Sequence, residues 1–292
     1  MDKVAEALIF LTQLTGVGIV KQNKVYVPFL KEDFDDESLS EFVLFHEQKI
    51  TPAELKFAWN YAKRISESVG EDVSVHTITV FDELYPKQFM DLDNKKPLLL
   101  FAKGNIDALQ YGTLGVIGTR NPSERSVNVE RIMVQQAIEW TNSAIVSGLA
   151  LGCDYVAHRA TLDAKGVTIA VLPCGFNHIS PPNHTYLANE IVKTGGCLLS
   201  EYEPGLYADK YMFVRRDTLV AGLSQKLFVV ECGLNSGTMY TVKDASKLGR
   251  QIGCMNLVDM KFEGNENIMT EYGAQGVTNY GDWKSFLGFN GV

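Results

Sequence analysis

From Leu114 onward the sequence repeats one pattern six times, a short run apolar at nearly every position followed by a stretch with helical spacing. The runs are LGVIG, AIVSG, VTIAVLP, CLLSEY, KLFVVEC and QIGCMNL. A strand that is apolar on both faces must be covered from both sides, which is the mark of a buried parallel sheet. The intervening RSVNVERIMVQQAIEW, DYVAHRATLDAK, HTYLANEIVKT and GTMYTVKDASKLG read as helices, and a short helix ends in Ala221-Gly222-Leu223-Ser224. Six strands alternating with helices predict an α/β fold, a doubly wound parallel sheet joined by right-handed crossovers.

The flanks read differently. Residues 1–72 hold AEALIFLTQL, LSEFVLFHEQ and AELKFAWNYAKRISESV, all at helical spacing, the last opened by Thr51 and Pro52 as cap and first-turn residue. They predict a small helical domain ahead of a main domain over residues 73–292. Between Val75 and Leu109, SVHTITVF and PLLLFAKGN are strand-like and ELYPKQF separates them at Pro86, which predicts an edge hairpin or a lead-in to the main domain. After residue 260, NENIMTEYG is a helix candidate in a tail too short to form another domain.

Composition narrows the function classes. The 292 residues are 46% hydrophobic, enough for a large core. The five cysteines form no C-x-x-C pair, so neither a zinc site nor a disulfide framework is suggested, and no metal or cofactor is expected. No apolar run approaches the roughly 20 residues that span a bilayer, and no cleavage pattern follows the N-terminal apolar stretch. A cytoplasmic protein without membrane attachment is expected. The net charge of -8 opposes nucleic-acid binding, which needs clustered Lys and Arg. The opposition is uneven: residues 112–260 carry 13 Lys plus Arg against 13 Asp plus Glu, which leaves 14 against 22 for the flanks.

In open α/β sheets ligands bind beyond the carboxyl ends of the strands, so the residues after each apolar run are the site candidates. Gly118-Thr119-Arg120 offers a glycine turn, helix amides and a guanidinium for a phosphate, or only a tight turn. Gly148 and Gly152, near Ser147, let backbone approach a ligand closely, while Asp154 suits a helix cap and His158 a structural hydrogen bond. The G-x-S-x-G elbow of hydrolases is absent. Glu201 and Glu231 end the fourth and fifth runs, where they suit glycosidic acid/base work, ribose binding or loop ordering. Arg215 and Arg216 beside Phe213 suit phosphate contacts with base stacking, or the arginines pair with Glu201 or Glu203. Ser236-Gly237-Thr238 opens a helix leading to Lys247 and Arg250, a second anion cradle or an ordinary cap.

Taken in order, GVIGTR, IVSGLALGCDYVAH, TIAVLPCGFNHISPPNH, GGCLLSEYEPG, FVRRDTLVAGLS and LFVVECGLNSGTMYTVKDASKLGR resemble the DprA/Smf family of DNA-processing proteins, over roughly residues 75–290. The resemblance implies a Rossmann-like fold, commonly preceded by a small helical domain. It implies a protein that binds single-stranded DNA, forms a homodimer and loads a RecA-type recombinase in natural transformation, and is not an enzyme. The DNA pocket so implied includes Gly118, Arg120, Ser147, Gly148, Asn183, Arg215 and Arg216, joined as phosphate-binding candidates by Ser236, Gly237, Thr238, Lys247 and Arg250.

The chain departs from the family pattern where R-N-R reads Arg216-Asp217-Thr218, where Val167 replaces a lysine, and where Cys254-Met255-Asn256 replaces V-P-G. A member without the winged-helix domain that some relatives carry is expected. An acid at position 217 weakens phosphate binding, so a nucleotide or nucleotide-derived signal is the alternative ligand. A phosphoribohydrolase using Glu201 or Glu231 comes last, because P-G-G-x-G-T is missing.

Overall fold

The computed structural model describes residues 1–259 and 261–289, so residue 260 and the last three positions of the expected 73–292 domain lie outside the described residues. Its strands are β1 (Val75–Thr79), β2 (Leu99–Gly104), β3 (Thr113–Ile117), β4 (Ala144–Ser147), β5 (Thr168–Val171), β6 (Cys197–Ser200), β7 (Lys226–Val229), β8 (Gln251–Met255) and β9 (Gln275–Val277). They form one sheet in the order β1-β2-β6-β5-β4-β3-β7-β8-β9. Strands β3 to β8 are the six apolar runs, and they pair with one another in parallel throughout. The β1–β2 hairpin joins the edge of β6 in antiparallel register, as SVHTITVF and PLLLFAKGN suggested. Strand β9 was not anticipated; its three residues are too few to show a period of two.

The helices of the main unit are α6 (Glu124–Thr141), α7 (Cys153–Asp163), α8 (Thr185–Lys193), α9 (Lys210–Leu223), α10 (Thr238–Lys247), α11 (Glu263–Tyr272) and α12 (Tyr280–Leu287). Successive strand residues face opposite sides, so Ile145 packs with Val116 and Phe228 against Met133, Ala157 and Trp283 of α6, α7 and α12. Its neighbour Val146 packs with Val229 against Leu219, Val242 and Ile268 of α9, α10 and α11. Helix α9 corrects the sequence reading: it has 14 residues and already contains Arg215 and Arg216, which were expected ahead of a short helix.

The N-terminal helices are α1 (Lys3–Thr12), the short α2 (Ile19–Lys21) and α3 (Val27–Leu30), then α4 (Asp36–His46) and α5 (Pro52–Glu71). At the start of α5 the Glu54 carboxylate accepts from the Thr51 amide at 2.7 Å and the Thr51 hydroxyl accepts from the Glu54 amide at 3.3 Å, a reciprocal cap that fixes the helix start. Phe10 of α1 stacks on Trp59 of α5 with ring centroids 4.2 Å apart. The apolar side of these helices is continuous with Leu99, Phe101, Ala170 and Leu198 of the sheet. Tyr61 of α5 donates to the Glu203 carboxylate in the loop after β6.

Candidate functional site

Chain order reverses across the sheet between β3 and β7. From β3 the chain steps to β4, β5 and β6 on one side, and β7 starts again on the other. The helices that follow β3 and β7 lie on opposite faces, so the two post-strand loops part and leave a crevice at the carboxyl edge. A cavity of about 400 Å³ opens there. Its walls come from the turn Gly118-Thr119-Arg120 after β3, from Gly148, Ala150 and Asp154 after β4, from Arg216 and Asp217 of α9, and from Ser236-Gly237-Thr238 at the start of α10.

Backbone contacts lock the two loops together. The Thr119 amide donates to the Glu231 carbonyl at 2.7 Å, the Cys153 amide to the Thr119 carbonyl at 3.1 Å, and the Thr238 hydroxyl to the Gly118 carbonyl at 3.1 Å. A Cβ at Gly118 would sit 2.5 Å from Cys153 Sγ, so only glycine lets the turn lie this close to α7. The amides of Arg120 and Gly237 have no hydrogen-bond partner among the described residues, which leaves two donors at the cavity. The Arg120 side chain is exposed on its rim.

Charges on the floor are paired. Arg216, only 5% exposed, donates to the Gly148 carbonyl, to the Val171 carbonyl at 3.4 Å and to Asp217 Oδ1 at 2.8 Å. Asp154 Oδ2 accepts from the Gly148 and Ala150 amides at 3.1 and 3.2 Å, and so shapes the loop in which Leu149 takes a left-handed φ of 59°. Burial pushes the Asp217 carboxyl above its ordinary range, against the pull of Arg216. Behind the Gly118 turn, Glu130 is buried beside Cys153, and loss of solvent, helped by Asp154, drives its carboxyl well above the usual value. A second cavity of about 310 Å³ adjoins the first, sharing Arg120, Gly148, Ala150 and Arg216, with Leu151, Ser180, Pro181, Lys210 and Phe213 as its other walls. The pair therefore offers donors and guanidinium charge on one side and apolar surface on the other.

Comparison with known proteins places this arrangement. The family model described as DNA recombination-mediator protein A matches residues 76–288. The chain belongs to that family. Curated relatives include Protein Smf of Escherichia coli (strain K12), 36% identical over 182 residues, which are 62% of this chain and 48% of that one. DNA processing protein DprA of Bacillus subtilis (strain 168) is 35% identical over 181 residues, 61% of this chain and 59% of that one. The chain thus spans about half the length of these relatives. The solved DprA structure from Streptococcus pneumoniae superposes with a TM-score of 0.81 at 26% identity and covers 98% of both chains. DprA from Helicobacter pylori, described with a single-stranded DNA binding mode, superposes at 0.65 with 27% identity, over 74% of this chain and 95% of that one. These matches fix the α/β, Rossmann-like fold class.

Of the residues singled out in this DprA-family sequence, the structure brings Gly118, Arg120, Gly148, Arg216, Ser236, Gly237 and Thr238 together around the first cavity. Others are elsewhere. The Ser147 side chain is fully buried and its hydroxyl donates to the Val116 carbonyl at 2.7 Å, so it faces away from any ligand. Asn183 is exposed in a short turn and lines neither cavity. Arg215 points to the other side of α9, where it holds Glu201 through two contacts of 2.6 Å. Lys247 and Arg250 are corrected outright. Helix α10 begins at the cavity and runs about 15 Å away from it, at 1.5 Å per residue. Lys247 pairs there with Asp244 at 3.3 Å, and Arg250, just ahead of β8 at the amino edge, pairs with Asp91 at 2.7 Å.

The two carboxylates weighed for catalysis do not meet at the cavity. Glu201 is engaged by Arg215, and Glu231 accepts from the Ser123 amide at 2.9 Å, fixing the start of α6. Asp154, expected as a helix cap, serves the loop amides, while His158 is structural as read, its Nδ1 bonded to the Thr168 hydroxyl at 2.7 Å. Lys210 escaped sequence reading because α9 starts earlier than its pattern suggested; Asp209 ahead of it, the N-cap, was the available signal.

Proposed function

We propose that this cavity holds a phosphodiester of single-stranded DNA, with the neighbouring base against the apolar wall of Phe213, Leu151 and Pro181. The observation that carries the reading is Arg120, an exposed guanidinium on the rim shared by both cavities, set beside two unpartnered backbone amides. Guanidinium and oriented amides bind phosphate oxygens, and an adjoining apolar surface accepts a base without reading its identity. The DNA-binding Helicobacter relative supports this ligand class. In the same reading the protein acts in the cytoplasm as a homodimer, not as an enzyme, and delivers the strand to a RecA-type recombinase during uptake of foreign DNA.

Fluorescence anisotropy of a labelled oligothymidine tests the reading. Removing one charge-assisted contact is worth about 1.5–3 kcal/mol, so Arg120→Ala should weaken binding roughly ten- to hundredfold with its melting temperature unchanged. Absence of binding to the wild-type protein at low salt sinks the DNA reading. The net charge of -8, which opposes a long polyanion more than a small ligand, favours one alternative, a free nucleotide held in the same pocket. A nucleotide that raises the melting temperature where oligothymidine does not would establish it.

A further inference from the structure

The cavity carries its own negative charge, and that charge restricts what can enter. Two arginines, Arg120 and Arg216, face two carboxylates, Asp154 and Asp217, so the walls are neutral before any ligand arrives. The carboxylates are not equivalent. Asp154 is satisfied by the Gly148 and Ala150 amides. Asp217 gives only Oδ1 to Arg216, and its Oδ2 has no hydrogen-bond partner among the described residues. Arg216 is itself spent on the Gly148 and Val171 carbonyls, which leaves Arg120 as the guanidinium available to an anion.

We propose that Asp217 is a specificity-determining residue that admits a singly charged phosphodiester and rejects doubly charged phosphates such as a terminal phosphomonoester. The inference rests on the cavity being the phosphate site proposed above. One negative charge is matched by Arg120 and the free amides; within the first cavity a second meets Asp217, because Lys210 lines only the adjoining one. Two like charges on the order of 8 Å apart set the scale of that repulsion. At an effective dielectric of about 20 the repulsion amounts to roughly ten- to thirtyfold in affinity. Salt lowers it toward tenfold. The protein should therefore grip strands along their length and ignore their phosphorylated ends.

The experiment is direct calorimetric titration of the full chain at pH 8 with two small ligands. One is the dinucleoside monophosphate of thymidine, which has a single diester. The other is thymidine 5′-monophosphate, a dianion at this pH because its second pKa is about 6. The wild-type protein should bind the diester about tenfold more tightly. Asp217→Asn keeps an acceptor for Arg216 and removes the charge, so the monoester should gain about tenfold and the ratio should fall to near one. Equal affinities in the wild-type protein, or a ratio unchanged in a folded Asp217→Asn, overturn the charge filter. If neither ligand binds at millimolar concentration the filter is likewise refuted. Tight oligothymidine binding in the anisotropy assay would then leave the DNA reading standing, so the two failures are distinguishable.

Discussion

Replacing Arg215 with alanine should damage stability and spare DNA binding, the reverse of what its sequence context suggests. Its guanidinium meets Glu201 in two contacts of 2.6 Å, and the two side chains are only 20% and 13% exposed. The pair ties α9 to the end of β6, and Tyr85 and Tyr202 lie close enough to feel its charges. Cutting a buried pair by removing one partner strands the other charge and costs about 3–5 kcal/mol; residual solvent access puts this case near 3. For 292 residues the unfolding entropy is about 0.6 kcal/mol per kelvin, so the melting temperature should drop by about 5 °C. Differential scanning calorimetry reads the shift, and oligothymidine anisotropy at 20 °C reads binding on the same sample. Binding should stay within about twofold of wild type, because α9 remains anchored through Leu219 and Val220. A variant that melts normally but loses DNA would show Arg215 to be a ligand and the ion pair to be incidental.

Two further outcomes follow from the site and its surroundings. Burial holds the His158 pKa down to about 3, so the folded state keeps it neutral while the unfolded chain protonates it near 6.5. Stability contributed by this group is complete above about pH 6.5 and is lost as pH falls toward 3, roughly 2 kcal/mol by pH 5; urea unfolding at pH 7.5 and 5 should show that difference shrink in His158→Gln, and an identical pH dependence in the variant would refute it. A Cβ at Gly148 would lie 2.2 Å from Arg216 Nη1 and 2.8 Å from Asp154 Oδ2, so Gly148→Ala should displace the floor of the cavity, lower stability by about 1–3 kcal/mol and abolish oligothymidine binding; wild-type affinity would show that the floor is not part of the site.

The sheet was legible because burial on both faces leaves a strong mark: each run from LGVIG to QIGCMNL became a parallel strand. The first cavity was legible in outline for a related reason, since strand ends in such a sheet must converge on one edge. Direction along a helix was not. Ser236 and Arg250 are fourteen positions apart in sequence and were grouped together, yet one opens the helix at the cavity and the other follows its far end. Side-chain facing was equally hidden. Adjacent residues on a helix point about 100° apart, so Arg215 and Arg216 could not both serve one ligand, and no local pattern says which one turns toward Gly148 and which toward Glu201. The role of Asp154 depended on the left-handed Leu149 backbone, a feature that carries no composition signal.

The contact between the Thr238 hydroxyl and the Gly118 carbonyl joins residues 120 positions apart. During synthesis the Arg120 side of the crevice is made first, and it has no opposing wall until β7 and the first turn of α10 have left the ribosome and docked beside β3. A nascent or truncated chain ending before that point owns one arm of a clasp that cannot close. If the crevice holds a strand as proposed, its affinity is acquired late, and DNA retention would read out whether the whole sheet has been threaded in its correct order.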